Sequence, residues 1–445
     1  PATEALALVV EASRRGPTLV VAPSQAGAAD LAERVRALGA TVALVPQGWA
    51  PAAAGVQVVV GARAGAWAPV VDLAAVVVLD EHDEAHQEEA SPTWSARDVV
   101  AERARRAGAA CLWVSPCPSL EALRWGPLLT LSRTEERAGW PVVDVVDRRR
   151  EEPLRADLYS PRLVELLRTF GHVGGRGQGP RAVCVLNRKG RAQMLVCAIC
   201  AELARCEACG ASVAAGEDSA LICRRCATVR PLVCLACGAG RLKVLRPGVT
   251  RVREDLERLT GLPVAEVTGA SSASLDLDQV PIVVGTEAVL HRGLRPRLVA
   301  FLDLDAELLA PRYRAAEQAL ALVVKAARHL GGKAGGGRLV LQTRLPGHEV
   351  VQAALHADPA RVARAEDARR EALGFPPAKA LAVVSGAPAE KFVDGLAGRS
   401  DVEVLGPAAG RWLVRAADHL TLCDALASVP RPPGRLRVAV DPTRI

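Results

Sequence analysis

Cys197-Ala-Ile-Cys200, Cys206-Glu-Ala-Cys209, Cys223-Arg-Arg-Cys226 and Cys234-Leu-Ala-Cys237 follow one another in a single short stretch. Four Cys-x-x-Cys pairs supply eight thiolates, the ligand set for two tetrahedral zinc ions with four sulfurs each at about 2.3 Å. The two-residue spacer lets one tight turn present both sulfurs to the same metal. A thioredoxin-like redox motif is the competing reading of any single pair, and four pairs in close succession argue against it. Four thiolates on each metal leave no coordination position open, so both sites are expected to be structural. Short connections join Cys200 to Cys206 and Cys226 to Cys234, and a longer one joins Cys209 to Cys223. Nested pairing then places Cys206, Cys209, Cys223 and Cys226 on an inner zinc, with Cys197, Cys200, Cys234 and Cys237 closing an outer one. Consecutive pairing is the alternative. Gly210 and Gly238 directly follow two of the pairs, where glycine permits the tight knuckle that aims backbone N–H groups at sulfur. Arg205, Arg224, Arg225 and Arg230 offset the thiolate charge and face DNA phosphate, a partner, or only solvent.

Working outward, the 445 residues are enough for two to four domains with sizeable cores. The chain is 50% hydrophobic but 3% aromatic, and its net charge of +7 permits nucleic-acid binding without demonstrating it. The four remaining cysteines, Cys111, Cys117, Cys184 and Cys423, are scattered in apolar surroundings. That distribution favours a reducing cytosol over a disulfide framework. No signal peptide and no apolar run long enough to span a bilayer is present. The first residue is Pro1, so the sequence reads as a portion of a longer product.

Residues 1 to about 130 alternate helix-like and strand-like segments. Glu4 to Ser13 and Ala29 to Leu38 read as helices. Thr18 to Ala22, Thr41 to Val45, Val56 to Val60 and Val76 to Leu79 read as buried strands. Short apolar strands separated by helices predict a parallel α/β sheet covered on both faces. An Arg-rich link, Asp147 to Glu152, reads as solvated, and Gly171 to Gly179 as a loop. The same alternation brackets the cysteine stretch, with strands at Ala182 to Leu186, Pro281 to Val284 and Leu298 to Leu302. Helices are expected at Val252 to Leu259 and Arg314 to Leu330. A helical stretch from about Gly347 leads to Phe375-Pro-Pro377, and a small α+β unit closes the chain. His82-Asp-Glu-Ala-His86 is similar to a zinc-protease HExxH. Its Glu falls one position late, and an acidic loop after a strand is the preferred reading.

Several collinear segments carry a family resemblance. Val58-Val-Val-Gly-Ala-Arg63 resembles VxIGTRSA, and Asp80-Glu-His-Asp83 resembles a DEEHD box. Trp94-Ser-Ala-Arg-Asp98 is similar to YxARD, and Ser115-Pro-Cys-Pro-Ser-Leu-Glu121 to SATPSLE. Val185-Leu-Asn-Arg-Lys-Gly190 resembles FLNRRG, and Phe301-Leu-Asp-Leu-Asp305 resembles LLDVD. Leu341-Gln-Thr343 and Phe375-Pro-Pro377 match VLQT and an LPP turn. In this order around four Cys-x-x-Cys pairs, the chain resembles the primosomal protein N′ (PriA) family of replication-restart superfamily 2 DNA helicases. The resemblance implies two RecA-like helicase lobes, an inserted two-zinc module with the nested ligand sets, and a small α+β C-terminal domain. The implied boundaries are 1–135 for lobe 1, 136–195 for a linker and the start of lobe 2, 196–240 for the zinc module, 241–345 for the rest of lobe 2, and 346–445 for the C-terminal domain. The family's P-loop and its N-terminal DNA-binding portion would lie ahead of residue 1.

The departures point to a degenerate, actinobacterial type. No GxxxxGK[ST] is present, and Gly332-Lys333 is followed by Ala334 where Ser or Thr would hold Mg²⁺. Ungapped alignment puts Leu79 at the first Asp of the DEEH box and leaves Asp80 and Glu81 as degenerate nucleotide-site residues; a one-residue slip would restore an Asp-Glu-x-Asp box. Cys117 replaces the threonine of SATP. GTQMxAKG reads Gly285-Thr-Glu-Ala-Val-Leu-His-Arg-Gly293, and QVAGRAGR reads Lys325-Ala-Ala-Arg-His-Leu-Gly-Gly332. Gly332 thus stands where an arginine would neutralise the transferring phosphoryl group. The expectation is a protein that binds stalled or abandoned replication forks and promotes primosome assembly and replicative helicase loading, without ATPase or helicase activity and with no catalytic residues. An active ATP-dependent 3′–5′ DNA helicase is the alternative. Two Zn²⁺ per chain are expected, while the departures argue against ATP as a cofactor. The implied partners are forked DNA with single/double-strand junctions, primosome proteins, single-strand-binding protein and helicase-loading factors, with no membrane, for a cytoplasmic monomer.

Overall fold

The computed structural model describes residues 2–151, 158–172, 181–186, 195–216, 220–223, 225–244, 249–269, 271, 277 and 279–443. The chain divides into two compact units, Pro1–Leu128 with Ala363–Ile445, and Leu129–Val362.

In the first unit a five-stranded, all-parallel sheet runs in the order Val42–Leu44, Val58–Gly61, Thr18–Val21, Ala75–Leu79, Ala110–Val114. Its central strands are runs of Val and Leu because both faces are covered. Val20, Val58, Val60 and Val77 pack under the helices Ala2–Arg15 and Gln25–Ala37. Their neighbours Leu19, Val21, Val59, Val76 and Val78 point the other way, onto Val100 and Ala104 of the helix Ala96–Ala107. Ser24 caps Gln25–Ala37 by accepting the Gly27 N–H, and Gly108, in the left-handed region, ends Ala96–Ala107. The same unit holds an antiparallel sheet in the order Val402–Ala408, Arg411–Ala416, Ala380–Ser385, Arg437–Val440. The helices Ala389–Asp394 and His419–Ser428 cover one face through Phe392, Val393, Leu422 and Ala425. Arg370 and Glu366, both buried, pair at 3.4 Å, and Arg370 lies 3.7 Å from the half-buried Glu121 of the helix Leu120–Trp125.

In the second unit six parallel strands run in the order Val264–Val267, Ile282–Gly285, Ala182–Val185, Leu298–Phe301, Arg338–Thr343, Val142–Asp147. Pro161–His172 and Val249–Thr260 cover one face through Leu163, Leu167, Val252 and Leu256. The long helix Ala315–Leu330 packs beside Leu298–Phe301 and Arg338–Thr343. The cysteine stretch interrupts this sheet between Ala182–Val185 and Val249–Thr260. Its base pairs Leu195–Cys197 with Leu242–Val244, and its ribbon is formed by Val213–Ala215, Ala220–Cys223 and Val229–Pro231. The α/β class with a small α+β closing unit is therefore the fold found.

Two sequence expectations change. The Arg-rich link is not uniformly solvated: Arg148 is buried, bonded to Gln342 Oε1 at 3.4 Å and to Glu151 at 2.5 Å. It directly follows Val142–Asp147, an edge strand that alternation alone did not reveal. The stretch His82 to His86 is likewise not simply a solvated loop, because His86 is buried and its Nε2 meets the Leu79 carbonyl at 2.9 Å. Residues 173–180 of the Gly-rich loop, Asn187 to Gly190 of the FLNRRG match, and Arg224 lie outside the described residues. Among the described residues no helix is long and apolar enough to cross a membrane.

Candidate metal centres

The four Cys-x-x-Cys pairs build one knuckle four times. The N–H groups of Cys197, Cys206, Cys223 and Cys234 donate to the carbonyls of Glu202, Ala211, Thr228 and Ala239, five residues on in each case. The N–H groups of Ala201, Gly210, Ala227 and Gly238 donate back to the carbonyls of the four first cysteines. All four residues that follow a pair sit in the left-handed region, at φ of 58°, 71°, 59° and 72°. Sequence inspection singles out the two glycines, because glycine reaches that region without strain. It misses Ala201 and Ala227, which adopt the same turn at a cost.

The knuckles converge in two quartets, Cys197/Cys200/Cys234/Cys237 and Cys206/Cys209/Cys223/Cys226, with all ligand atoms of each within 4.8 Å. This is the nested arrangement. Sulfur–sulfur separations are 3.5 Å for Cys197–Cys237, 3.6 Å for Cys200–Cys234, 3.4 Å for Cys206–Cys226 and 3.5 Å for Cys209–Cys223. A regular tetrahedron with 2.3 Å bonds has edges of about 3.8 Å, so both cages are the right size for zinc. In each quartet two cysteines are buried, one is half-buried and one, Cys237 or Cys226, is exposed. The Thr228 hydroxyl, 3.1 Å from the Cys226 sulfur, draws that thiol down to about 6. Burial instead pushes Cys184 up to about 12 and Cys111 up to about 11, which suits inert core thiols.

The ribbon is fixed to the second sheet. Ser212 donates its N–H and its hydroxyl to the Leu309 carbonyl, both at 3.1 Å, and Val196 and Leu203 pack on Leu309. Arg230 is buried rather than offered to a partner. Its guanidinium donates to the carbonyls of Val233 at 2.7 Å, Arg205 at 3.3 Å and Pro231 at 3.4 Å, tying the two centres together. Arg205 pairs with Glu202, and Arg225 is exposed.

In the first lobe the Asp80-Glu-His-Asp83 segment follows the strand Ala75–Leu79. Leu79, at the aligned position of the box's first Asp, packs on the apolar core. Asp80 takes a φ of 49°, a conformation Asp tolerates. Glu81 is buried: its carboxylate accepts the Ser119 N–H and hydroxyl, both at 2.8 Å, and pairs with Arg97 at 3.1 Å. Burial raises its pKa, opposed by Arg97 and by the Ser119 bonds. His82 Nδ1 lies 2.8 Å from Ser115 Oγ, joining two of the matched segments, and Cys117 is buried with its N–H on the same hydroxyl at 3.1 Å. The structure thus commits Glu81 to holding the turn after the strand.

In the second lobe the departing residues meet each other. Lys325 Nζ lies 3.0 Å from His291 Nε2, and Glu287 lies 3.7 Å from the same nitrogen. His329, at the pattern's first arginine, has its two ring nitrogens 2.8 Å from the Leu294 and Leu290 carbonyls, so its N–H donates to one of them. Gly332, at the second, leaves no room for a side chain: a Cβ there would stand 2.4 Å from the Ala138 carbonyl oxygen. Lys333–Gly335 forms an exposed 3₁₀ turn. Nearby, Asp305 accepts the Thr343 hydroxyl and the Arg344 N–H, and burial beside Asp305 lifts Asp303 to about 7.

The geometry is thus two parallel-stranded α/β lobes, the second carrying a ribbon with two four-cysteine clusters that could hold metal ions. Replication restart protein PriA of Bacillus subtilis is 27% identical to this chain over 389 residues, 80% of this chain and 48% of that protein. PriA of Thermotoga maritima is 29% identical over 363 residues, 76% of this chain and 47% of that protein. The chain is thus similar to replication restart PriA proteins over about three quarters of its length. It spans about half the length of the curated relatives it matches. No protein-family model matches it. Among solved structures, S. cerevisiae Dbp5 bound to RNA and ADP BeF3 superposes with a TM-score of 0.40 at 11% identity, over 81% of this chain and 80% of that one. That similarity is too low to carry the fold, which rests on strand order and direction.

Proposed function

We propose that this chain is the lobe-and-ribbon portion of a replication restart protein of degenerate type. It recognises stalled or abandoned replication forks and promotes primosome assembly and replicative helicase loading, with no ATP-driven motor of its own. The observation that carries the reading is the closed site at Gly332, where the Ala138 carbonyl occupies the space an arginine side chain would need. Phosphoryl transfer requires the phosphates cradled, Mg²⁺ held and the transition-state charge neutralised. The apolar packing of Leu79 and the placing of His329 between two carbonyls support the same reading. The lobes persist as a scaffold because their strands pack independently of a nucleotide.

In this reading the eight cysteines hold two zinc ions, whose role is to fold the ribbon rather than to react. The division into lobe 1 (1–135), a linker with the start of lobe 2 (136–195), the zinc module (196–240), the rest of lobe 2 (241–345) and the C-terminal domain (346–445) is part of the proposal. So are forked DNA, primosome proteins, single-strand-binding protein and helicase-loading factors as partners of a cytoplasmic monomer. The test is phosphate release from ATP by the full natural protein with and without fork DNA. Turnover is expected to stay at background, since loss of a single electrostatic element typically costs about 10²–10³ in rate. Strong DNA-stimulated turnover that Asp80→Ala abolishes would instead establish an active helicase.

A further inference from the structure

Each knuckle opens on the peptide group just before its first cysteine, and one side chain holds two of these groups at once. In the inner quartet the Arg205–Cys206 peptide donates its N–H to the Ala211 carbonyl at 2.8 Å. In the outer quartet the Val233–Cys234 peptide donates its N–H to the Ala239 carbonyl at 2.9 Å. The carbonyl ends of the same two peptides both accept from the Arg230 guanidinium, Val233 at 2.7 Å from Nη1 and Arg205 at 3.3 Å from Nη2. Arg230 is buried and stands opposite Leu221 in the strand that ends at Cys223, another member of the inner quartet. A shift of either knuckle therefore moves an acceptor of the group that also holds the other. Charge adds a second link. The acceptors of Arg230 are all carbonyls, and its Nε meets no acceptor among the described residues. A buried cation without an acid is costly. Four thiolates outweigh one divalent ion, so a filled cage carries the counter-charge that no carboxylate gives Arg230.

We propose that Arg230 is a positioning residue that couples the two metal centres, so that filling either one raises the affinity of the other. An ion that fixes the Cys206 knuckle fixes the Arg205 carbonyl, and with it the guanidinium that steadies the Cys234 knuckle. The same path runs in reverse, because a coupling between two binding sites is reciprocal. The task needs a planar fork that reaches separate carbonyls, which arginine has and lysine, a compact charge, does not. The inference rests on the reading of the eight cysteines as two zinc centres, so total zinc content is followed separately.

The experiment is native mass spectrometry of the full chain, freed of metal under reducing conditions and then given one zinc ion per chain. Coupling of about tenfold leaves about a quarter of the chains with a single ion, against about half for equal, independent sites. Arg230→Met is expected to raise that singly loaded share to half or more, with two ions still bound at saturating zinc. Arg230→Lys, which keeps the charge without the fork, should fall between the two. Val213→Ala loosens the ribbon core in the strand farthest from Arg230 in its sheet, and should lower affinity while leaving the share near that of the wild type. A wild-type share of half or more overturns the proposal. So does a share that Arg230→Met leaves unchanged, or one that Val213→Ala raises as far. Should Arg230→Met take up no zinc, Arg230→Lys decides, and a lysine variant that matches the wild type overturns the clamp. Fewer than two ions on the wild type at saturation would refute the metal reading beneath, and the inference with it.

Discussion

The residue after each cysteine pair decides how strained its knuckle is. Ala201 and Ala227 hold φ of 58° and 59° where Gly210 and Gly238 hold 71° and 72°. An L-residue in the left-handed region costs about 1–2 kcal/mol relative to glycine. Ala227→Gly is expected to stabilise the inner knuckle by about 1 kcal/mol, less whatever is lost to the more flexible unfolded chain. The measurement is the rate at which a chelator strips zinc, which should slow in Ala227→Gly and quicken in Gly210→Val. Asp303 supplies a pH dependence. Its folded pKa of about 7 lies above the ordinary 3.8, so the folded state binds the extra proton between those values. Stability from this group is complete below about 4 and is lost as pH rises through about 7. Hydrogen-exchange protection in the strand Leu298–Phe301, corrected for the intrinsic pH dependence of exchange, should therefore fall across that window in the wild type, and Asp303→Asn should flatten the fall.

At the scale of elements, the ribbon is small enough that filling of the two proposed zinc sites and its folding would be one equilibrium. Its apolar core is short: Leu195, Ala204, Ala211, Val213 and Leu221 with two cysteines of the inner cage, Cys206 and Cys223. Cys206→Ser removes one ligand and one core member at once. Zinc content is expected to fall from about two per chain to about one, with circular dichroism reporting loss of the ribbon strands. A variant that keeps both ions would show that a cage tolerates three sulfurs. The position of these elements was legible only in part. Four repeated pairs announced the cages, and β-branched runs announced the strands buried on both faces. The edge strand Val142–Asp147 hid because it is only half-buried throughout, which blurs the apolar run that marks a central strand. The Arg148 that follows it looked solvated because nothing local reveals Gln342, which lies far along the chain yet in the adjacent strand, Arg338–Thr343.

For the whole molecule, the proposed function and a net charge of +7 predict salt-sensitive, weakly sequence-specific DNA binding. Each phosphate neutralised by Lys or Arg releases a counterion, so affinity for fork DNA should fall steeply between low and moderate salt. Fluorescence anisotropy across a salt series is the direct measurement, and a flat response would remove phosphate contacts from the account. The proposed loss of the motor was visible in sequence as several separate departures. The structure adds the reason that the departures in the second lobe hold together. Lys325, His291 and Glu287 lie against one another, and Gly332 is enclosed by backbone. Restoring one motif residue at a time would meet neighbours already adjusted to its absence.

The sequence by itself determined the local matters: which cysteines form knuckles, which runs are buried strands, and which motif positions have changed. Those are set by spacing and side-chain chemistry within a few residues. Only the tertiary structure decided which knuckles share a cage, that Arg230 clamps three carbonyls inside the ribbon rather than facing a partner, and that Glu81 holds Ser119 and Arg97. Each of these depends on groups distant in sequence that meet only when sheets and ribbon pack. A buried charge or a polar N–H must then find whichever partner the fold has brought within reach.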